Sequence, residues 1–186
     1  TFPIKGTRPR GADAAADRAR VAELCADPKE RAEHVMVVDL ERNDLGRVCE
    51  IGSVEVAKLM EVASFGSLHH LVSTVRGRLR PAVGLAELLR ALFPGGSISG
   101  CPKLRAMEII NQLEPVDRGF YTGAIGFVQG ERAVFNIAIR TAEIAGGRLY
   151  YHAGGGIVAD SDPEREYDET LLKAQPLLSL LAASAA

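Results

Sequence analysis

Helices interleaved with tight hairpins, without a regular β-α-β alternation, predict an α+β chain whose sheet is largely antiparallel. Two observations carry that expectation. Asp-Pro pairs at residues 27–28 and 162–163 mark helix starts, because proline at the first helical position gives up an N–H that has no partner there anyway. Gln129-Gly130-Glu131 and Ala145-Gly146-Gly147 are hairpin turns between β-prone runs. With 47% hydrophobic and 25% charged residues among 186, the chain can bury a sizeable core. No repeat or low-complexity linker interrupts it, so one domain is expected.

The elements follow in order. Residues 12–25 are Ala-rich, with Val21, Leu24 and Cys25 on one helical face. Asp27 is an N-cap, Pro28 opens the next helix and Glu30 completes a capping box; this helix is expected to reach about His34. The dense apolar run at 35–40 predicts a central strand, Asn43-Asp44-Leu45-Gly46 a turn, and residues 47–56 a returning strand. Residues 67–79 form another strand, with His70, Val72 and Thr74 on one face and Leu71, Ser73 and Val75 on the other. Residues 84–93 are helical, a Gly- and Ser-rich loop covers 94–100, and 102–113 form an amphipathic helix with Leu104, Met107, Ile109 and Ile110 near one face. Strands at 123–129, 133–144 and 148–153 precede a last helix from Asp162-Pro163.

Composition excludes some partners. A net charge of −2 offers no basic field for nucleic acid or an anionic membrane. No stretch approaches the ~20 apolar residues of a membrane span, and the Leu/Ala-rich end at 176–186 is too short. Cys25, Cys49 and Cys101 are odd in number, widely spaced and form no C-x-x-C, which fits a reducing, cytoplasmic setting where each is a small buried hydrophobe. The chain has no initiator Met or signal segment and begins inside a motif, so it reads as part of something longer.

Candidate chemistry begins at Pro3-Ile4-Lys5-Gly6-Thr7, where an amine sits in a tight turn between a φ-fixing proline and a glycine. On this string alone, a solvated turn lysine and a reactive amine are equally open readings. Each Asp-Pro helix start carries two glutamates three apart, Glu30 with Glu33 and Glu166 with Glu169. Either pair alone is explained by the helix dipole; together they offer hard oxygen donors for a divalent cation such as Mg²⁺. His70 opens His70-Leu71-Val72-Ser73, and its imidazole can donate a proton near neutral pH, although a histidine at a strand start is commonly structural. Ser97-Ile98-Ser99-Gly100-Cys101-Pro102-Lys103 leads a loop into a helix N-terminus, a setting that suits an anion. Tyr121 and Arg140 are candidate carboxylate donors, Gly154, Gly155 and Gly156 follow the last strand, and Lys173 lies one turn beyond Glu169.

These strings, in this order from Lys5 to about Lys173, resemble the signature blocks of the chorismate-utilising enzymes. The P-I-K-G-T lysine, H-L-V-S, S-G-x-P-K-x-x-A-M-E-x-I, the Tyr121 and Arg140 segments and the A-G-x-G-I block all match, with Cys101 where alanine is usual. The resemblance implies the C-terminal part of that α+β fold, two antiparallel sheets packed together with helices outside. It implies that Lys5 attacks chorismate, with His70 beside the leaving group. Ser97, Tyr121, Arg140, the Gly154, Gly155 and Gly156 backbone and Lys173 are implied to bind substrate. Glu33 and Glu169 are implied to ligate Mg²⁺ directly, with Glu30 and Glu166 behind them or acting through water. Asp39 to Arg47, also family-typical, is expected to be a structural turn.

Lysine at position 5 marks the branch that makes 4-amino-4-deoxychorismate for para-aminobenzoate and folate; the anthranilate-forming branch usually carries alanine there. Ammonia would come from a glutamine amidotransferase, separate or fused, and a glutamate general acid would lie upstream. Arg8 and Arg10 are the nearby cations that could help the lysine lose its proton. The competing readings are an anthranilate-forming enzyme, an isochorismate- or salicylate-forming enzyme with water as nucleophile, and an inactive truncated piece.

Overall fold

The computed structural model describes residues 1–159 and 161–184, so the last two residues of the Leu/Ala-rich end lie outside the described residues. Two compact units are present, Thr1–Ala106 and Met107–Ala186.

The first unit runs β1 (Ile4–Pro9), α1 (Ala14–Ala26), α2 (Pro28–Gly46), β2 (Glu55–Ser64), β3 (Leu68–Arg76), α3 (Leu85–Leu92) and the single turn α4 (Gly96–Ser99). Its sheet is antiparallel with strand order β1-β3-β2. The central strand β3 shows the expected period of two: His69, Leu71, Ser73 and Val75 are buried, while His70, Val72 and Thr74 face a half-open side. Val38, Leu45, Val48, Cys49, Val75 and Ala91 form the core, with Val54, Val56, Val83, Leu88 and Leu92 packed against it.

Three expectations are corrected here. The apolar run at 35–40 is not a strand, and 43–46 is not a turn: both belong to α2, which runs 19 residues. Asp27 caps it as foreseen, accepting from the Lys29 and Glu30 N–H groups at 2.9 and 3.1 Å. The helix continues because only one side of the run is buried: His34, Val38 and Leu45 are covered, while Val35 and Met36 stay exposed. Second, Glu30 does not close a capping box. The Asp27 N–H that it would accept already donates to the Glu23 carbonyl at the end of α1, which leaves the Glu30 carboxylate for Arg8. Third, the returning strand at 47–56 is largely turn, and the strand in that region begins at Glu55.

The second unit begins within α5 (Lys103–Leu113), which spans the boundary between the units. It continues with β4 (Ala124–Gln129), β5 (Arg132–Ile137), β6 (Ala142–Ala145), β7 (Arg148–Tyr151) and α6 (Pro163–Ser184). β4-β5 and β6-β7 are separate antiparallel hairpins, turning at the two glycine signals read from sequence. The expected strand at 133–144 is therefore two strands, interrupted at 138–141, and the described residues hold three sheets where two were expected. Only Thr122 and Ala138 are buried among the described residues of this unit, while Ile125, Phe127, Val128 and Val134 remain exposed. Of the three free cysteines Cys49 is buried as expected, whereas Cys25 is half-buried and Cys101 exposed. Among the described residues, no helix is long and apolar enough to cross a membrane.

Candidate functional site

Lys5 does not sit in a simple turn. It lies in β1, one residue before a break in register: Lys5 pairs with Leu71 and Thr7 with His70, and Gly6 is the extra residue between them. Gly6 has φ +88°, and a Cβ there would meet Leu24 Cδ1 at 3.2 Å and Glu30 Oε2 at 3.4 Å. Only glycine suits both the backbone and the close approach. This bulge gathers Lys5, Glu30, Glu33 and His70. Lys5 Nζ pairs with Glu33 Oε2 at 2.6 Å. His70 Nδ1 lies 3.1 Å from the Gly6 carbonyl and 3.0 Å from Thr7 Oγ1, and its ring meets Phe65 edge-on. Nδ1 donates to the carbonyl in one tautomer and accepts the Thr7 O–H in the other.

Arg8 and Arg10 are committed elsewhere. Arg8 bonds Glu23, Asp27 and Glu30 at 2.7, 2.7 and 3.1 Å. Arg10 grips both Asp17 oxygens at 2.8 Å. These guanidiniums fasten β1 to α1 and α2 and neutralise the acids there; they are not loose cations beside Lys5.

Ser97 is not brought to this cluster. Its hydroxyl donates to Glu41 at 3.4 Å, eight residues beyond Glu33 on α2, about 12 Å of helical rise. The two motifs around it meet instead through a buried ion pair: Lys103 Nζ lies 2.8 Å from Asp44 Oδ2. Asp44 also accepts the Gly96 N–H at 3.0 Å, and Lys103 donates to the Ala91 carbonyl at 2.9 Å. Burial and the neighbouring Asp44 raise the Glu41 carboxyl above its ordinary range.

In the second unit most candidates converge. Lys173 Nζ pairs with Glu169 Oε1 at 2.6 Å and donates to the Gly154 carbonyl at 3.0 Å. A Cβ on Gly154 would lie 3.2 Å from the Tyr121 hydroxyl, and one on Gly155 would lie 2.5 Å from Glu166 Oε2. Glu166 Oε1 accepts from Ser161 Oγ at 2.7 Å, and Asp162 caps α6 through the Arg165 N–H at 3.0 Å. Tyr121 stacks on His152 with centroids 5.3 Å apart, beneath the Arg118 guanidinium. Burial pushes its phenol up. A cavity of about 220 Å³ opens beside Arg118, Tyr121, Tyr150 and His152.

Arg140 stands apart, between β5 and β6. It is exposed, with φ +51°, and makes no side-chain hydrogen bond or ion pair among the described residues. A non-glycine residue held left-handed, its guanidinium uncommitted, is a costly arrangement for a merely solvated side chain.

The glutamates fit Mg²⁺ by chemistry: each pair presents carboxylate oxygens on one helical face, and none is buried. Glu30 and Glu33 belong to the first unit, Glu166 and Glu169 to the second. Among the described residues, no group of three or more acid, histidine or cysteine side chains is gathered for a metal.

His34 was not singled out from the sequence. It is fully buried, with Nδ1 3.1 Å from the Lys5 carbonyl and Nε2 2.6 Å from Ser73 Oγ. Its position four residues after Glu30, on the face that also carries Glu33, was the available signal.

Residues 1–179 match the family profile described as chorismate binding enzyme. Anthranilate synthase component 1 of Streptomyces coelicolor is 54% identical over 180 residues, covering 96% of this chain and 35% of that protein. Aminodeoxychorismate synthase of Streptomyces griseus is 51% identical over 180 residues, covering 96% of this chain and 25% of that protein. The crystal structure of anthranilate synthase component I from Streptococcus pneumoniae superimposes with a TM-score of 0.82 at 45% identity, over 94% of this chain and 38% of that one. The chain thus spans well under half the length of these relatives.

Proposed function

The chain belongs to the chorismate binding enzyme family, and from that premise we propose that it is part of an aminodeoxychorismate synthase component I, a cytoplasmic enzyme converting chorismate and ammonia to 4-amino-4-deoxychorismate. One observation carries this choice: position 5 of P-I-K-G-T is lysine, on a strand bulge beside His70 and in contact with Glu33. Lys5 Nζ, once it has left Glu33 and lost its proton, forms a bond to ring carbon 2 as the carbon-4 hydroxyl departs with a proton from His70. Ammonia, supplied by a glutamine amidotransferase, then adds at carbon 4 and expels the lysine nitrogen, restoring the amine. Arg140 and Tyr121 receive one substrate carboxylate, and the Gly154, Gly155 and Gly156 backbone with Lys173 the other. Ser97, whose hydroxyl meets Glu41 on α2, is proposed to contact substrate from α4. Glu33 and Glu169 are the proposed Mg²⁺ ligands, with Glu30 and Glu166 behind them; the ion supplies charge stabilisation for substrate carboxylate.

A second reading has its own support: the Streptomyces coelicolor and Streptococcus pneumoniae relatives are named as anthranilate synthases. Product analysis separates the two, since one enzyme releases 4-amino-4-deoxychorismate and the other anthranilate. For the mechanism, the enzyme carrying this chain is quenched with chorismate and Mg²⁺ but no ammonia, and its intact mass measured. An adduct mapped to Lys5 and missing from Lys5→Ala is the expected result. A Lys5→Ala enzyme that makes aminodeoxychorismate at the normal rate refutes the nucleophile.

A further inference from the structure

Just before the bulge in β1, the Lys5 carbonyl lies 3.1 Å from Nδ1 of His34, which reaches it from α2. His34 is 0% exposed and bonded at both ring nitrogens. The Lys5 carbonyl can only accept, so Nδ1 is the donor. Ser73 Oγ in turn accepts the Met60 N–H at 2.9 Å, leaving its own proton for Nε2. Every buried donor and acceptor is then used once: Met60 N–H to Ser73, Ser73 O–H to His34, His34 N–H to Lys5. Met60 is itself at φ +53°, inside the irregular stretch of β2 between Lys58 and Glu61. The relay therefore joins a bulge in one edge strand to the bulge in the other, through the central strand and the helix that carries Glu30 and Glu33.

We propose that His34 is a positioning residue: it fixes the backbone at Lys5, and so the point from which the Lys5 amine reaches Glu33 and the substrate. Its effect on turnover rests on Lys5 being the reactive amine, but its effect on Lys5 does not. A histidine acting by packing alone could not be replaced by the smaller asparagine.

The test compares His34→Asn, whose amide N–H falls near Nδ1, with His34→Gln, whose amide falls near Nε2, and with His34→Ala. Each is made in the enzyme carrying this chain, its fold checked by circular dichroism. Limited acetylation with an N-hydroxysuccinimide ester, mapped by mass spectrometry, gives the Lys5 rate relative to Lys173, whose Nζ is also 2.6 Å from a glutamate. His34→Ala and His34→Gln should change that ratio by about threefold or more. They should also lower kcat about tenfold or more, with the KM for chorismate within about twofold, because a small misplacement of a reacting group costs rate before affinity. His34→Asn should restore most of both. Ser73→Ala, which breaks the relay from its other end, should move the ratio in the same direction, and it decides the matter if the His34 variants do not fold. An unchanged Lys5 ratio in the folded variants, or an asparagine no better than alanine, overturns the proposal. A shifted ratio beside a fully active Lys5→Ala enzyme leaves the positioning role standing and overturns the nucleophile instead.

Discussion

The Asp44–Lys103 pair is the most demanding electrostatic contact in the first unit, and replacing Lys103 by methionine isolates it. The two charged groups lie 2.8 Å apart, with side chains 9% and 2% exposed. At an effective dielectric of about 20, their attraction is about 6 kcal/mol. Desolvation of both ions cancels most of that, so the intact pair is worth little against an apolar pair of equal volume. Breaking it from one side is another matter. Lys103→Met keeps the stem but strands the Asp44 carboxylate, whose Oδ1 is buried without a hydrogen-bond partner and whose Oδ2 keeps only the Gly96 N–H. The expected cost is about 3–5 kcal/mol, a large share of the ~5–15 kcal/mol that holds a typical protein folded. Adding Asp44→Asn removes the stranded charge while retaining an acceptor for Gly96, so the double variant should recover much of the loss. The chain contains no tryptophan, and urea unfolding is best followed by circular dichroism. With a slope of about 2 kcal/mol per molar, the single variant's midpoint falls by about 2 M. A fall under about 0.5 M, or a double variant no more stable than the single one, would refute the stranded-charge reasoning.

Three further outcomes follow from the geometry. Arg10, the Gly11 N–H and His69 hold the Asp17 carboxyl well below the usual carboxylate range; its stabilisation is present above the unfolded value of ~3.9 and lost as pH falls through the depressed folded one. The stability gap between wild type and Asp17→Asn should thus be constant near neutrality and close in acid, as read from thermal midpoints across pH; a gap that widened in acid would contradict it. Gly155→Ala puts a Cβ 2.5 Å from Glu166 Oε2, a clash that a mobile carboxylate relieves by moving. Stability should change by less than about 1 kcal/mol while the Mg²⁺ concentration for half-maximal activity rises; an unchanged Mg²⁺ titration rejects Glu166 as part of the metal site. Arg140→Lys keeps the charge but loses the planar fork, so the KM for chorismate should rise about tenfold, and unchanged kinetics would return Arg140 to a solvated residue.

What was legible in the sequence is what local chemistry dictates. Asp27-Pro28 and Asp162-Pro163 start helices because a cap and a missing N–H act within one turn, and the Gly130 and Gly146-Gly147 turns close hairpins for the same reason. β3 was legible because its alternation of buried and half-open residues is direct. The C-terminal half of α2 was not. Val35-Met36-Val37-Val38 is rich in β-branched valine and apolar on every side, and only tertiary burial of His34 and Val38 selects the helical period. P-I-K-G-T resembled a turn because the left-handed glycine that signals one also makes a strand bulge. The His34 relay and the Asp44–Lys103 pair were invisible for a different reason. His34 reaches partners 29 and 39 residues away, and Lys103 lies in another motif from Asp44. No spacing rule announces contacts of that kind.

The two glutamate pairs show how clustered carboxylates stay foldable. Carboxylates three apart on a helix repel, and the dipole at the N-terminus relieves only part of that. Each unit completes the compensation locally. Glu33 takes Lys5 at 2.6 Å and Glu30 takes Arg8 at 3.1 Å. Glu169 takes Lys173 at 2.6 Å, and Glu166 accepts from Ser161 at 2.7 Å. In both places the glutamate proposed as a direct ligand is the one held by a lysine, and that lysine is itself assigned to substrate chemistry. An ion pair this exposed contributes about 0–1 kcal/mol, enough to offset the repulsion yet weak enough to exchange for a stronger cation. The carboxylates are therefore tolerated by the fold and would remain free to exchange their partners for the proposed Mg²⁺. Were Glu33 to hold the proposed Mg²⁺, the ion and the Lys5 ammonium would compete for one carboxylate, and metal binding would favour release of Lys5 from Glu33.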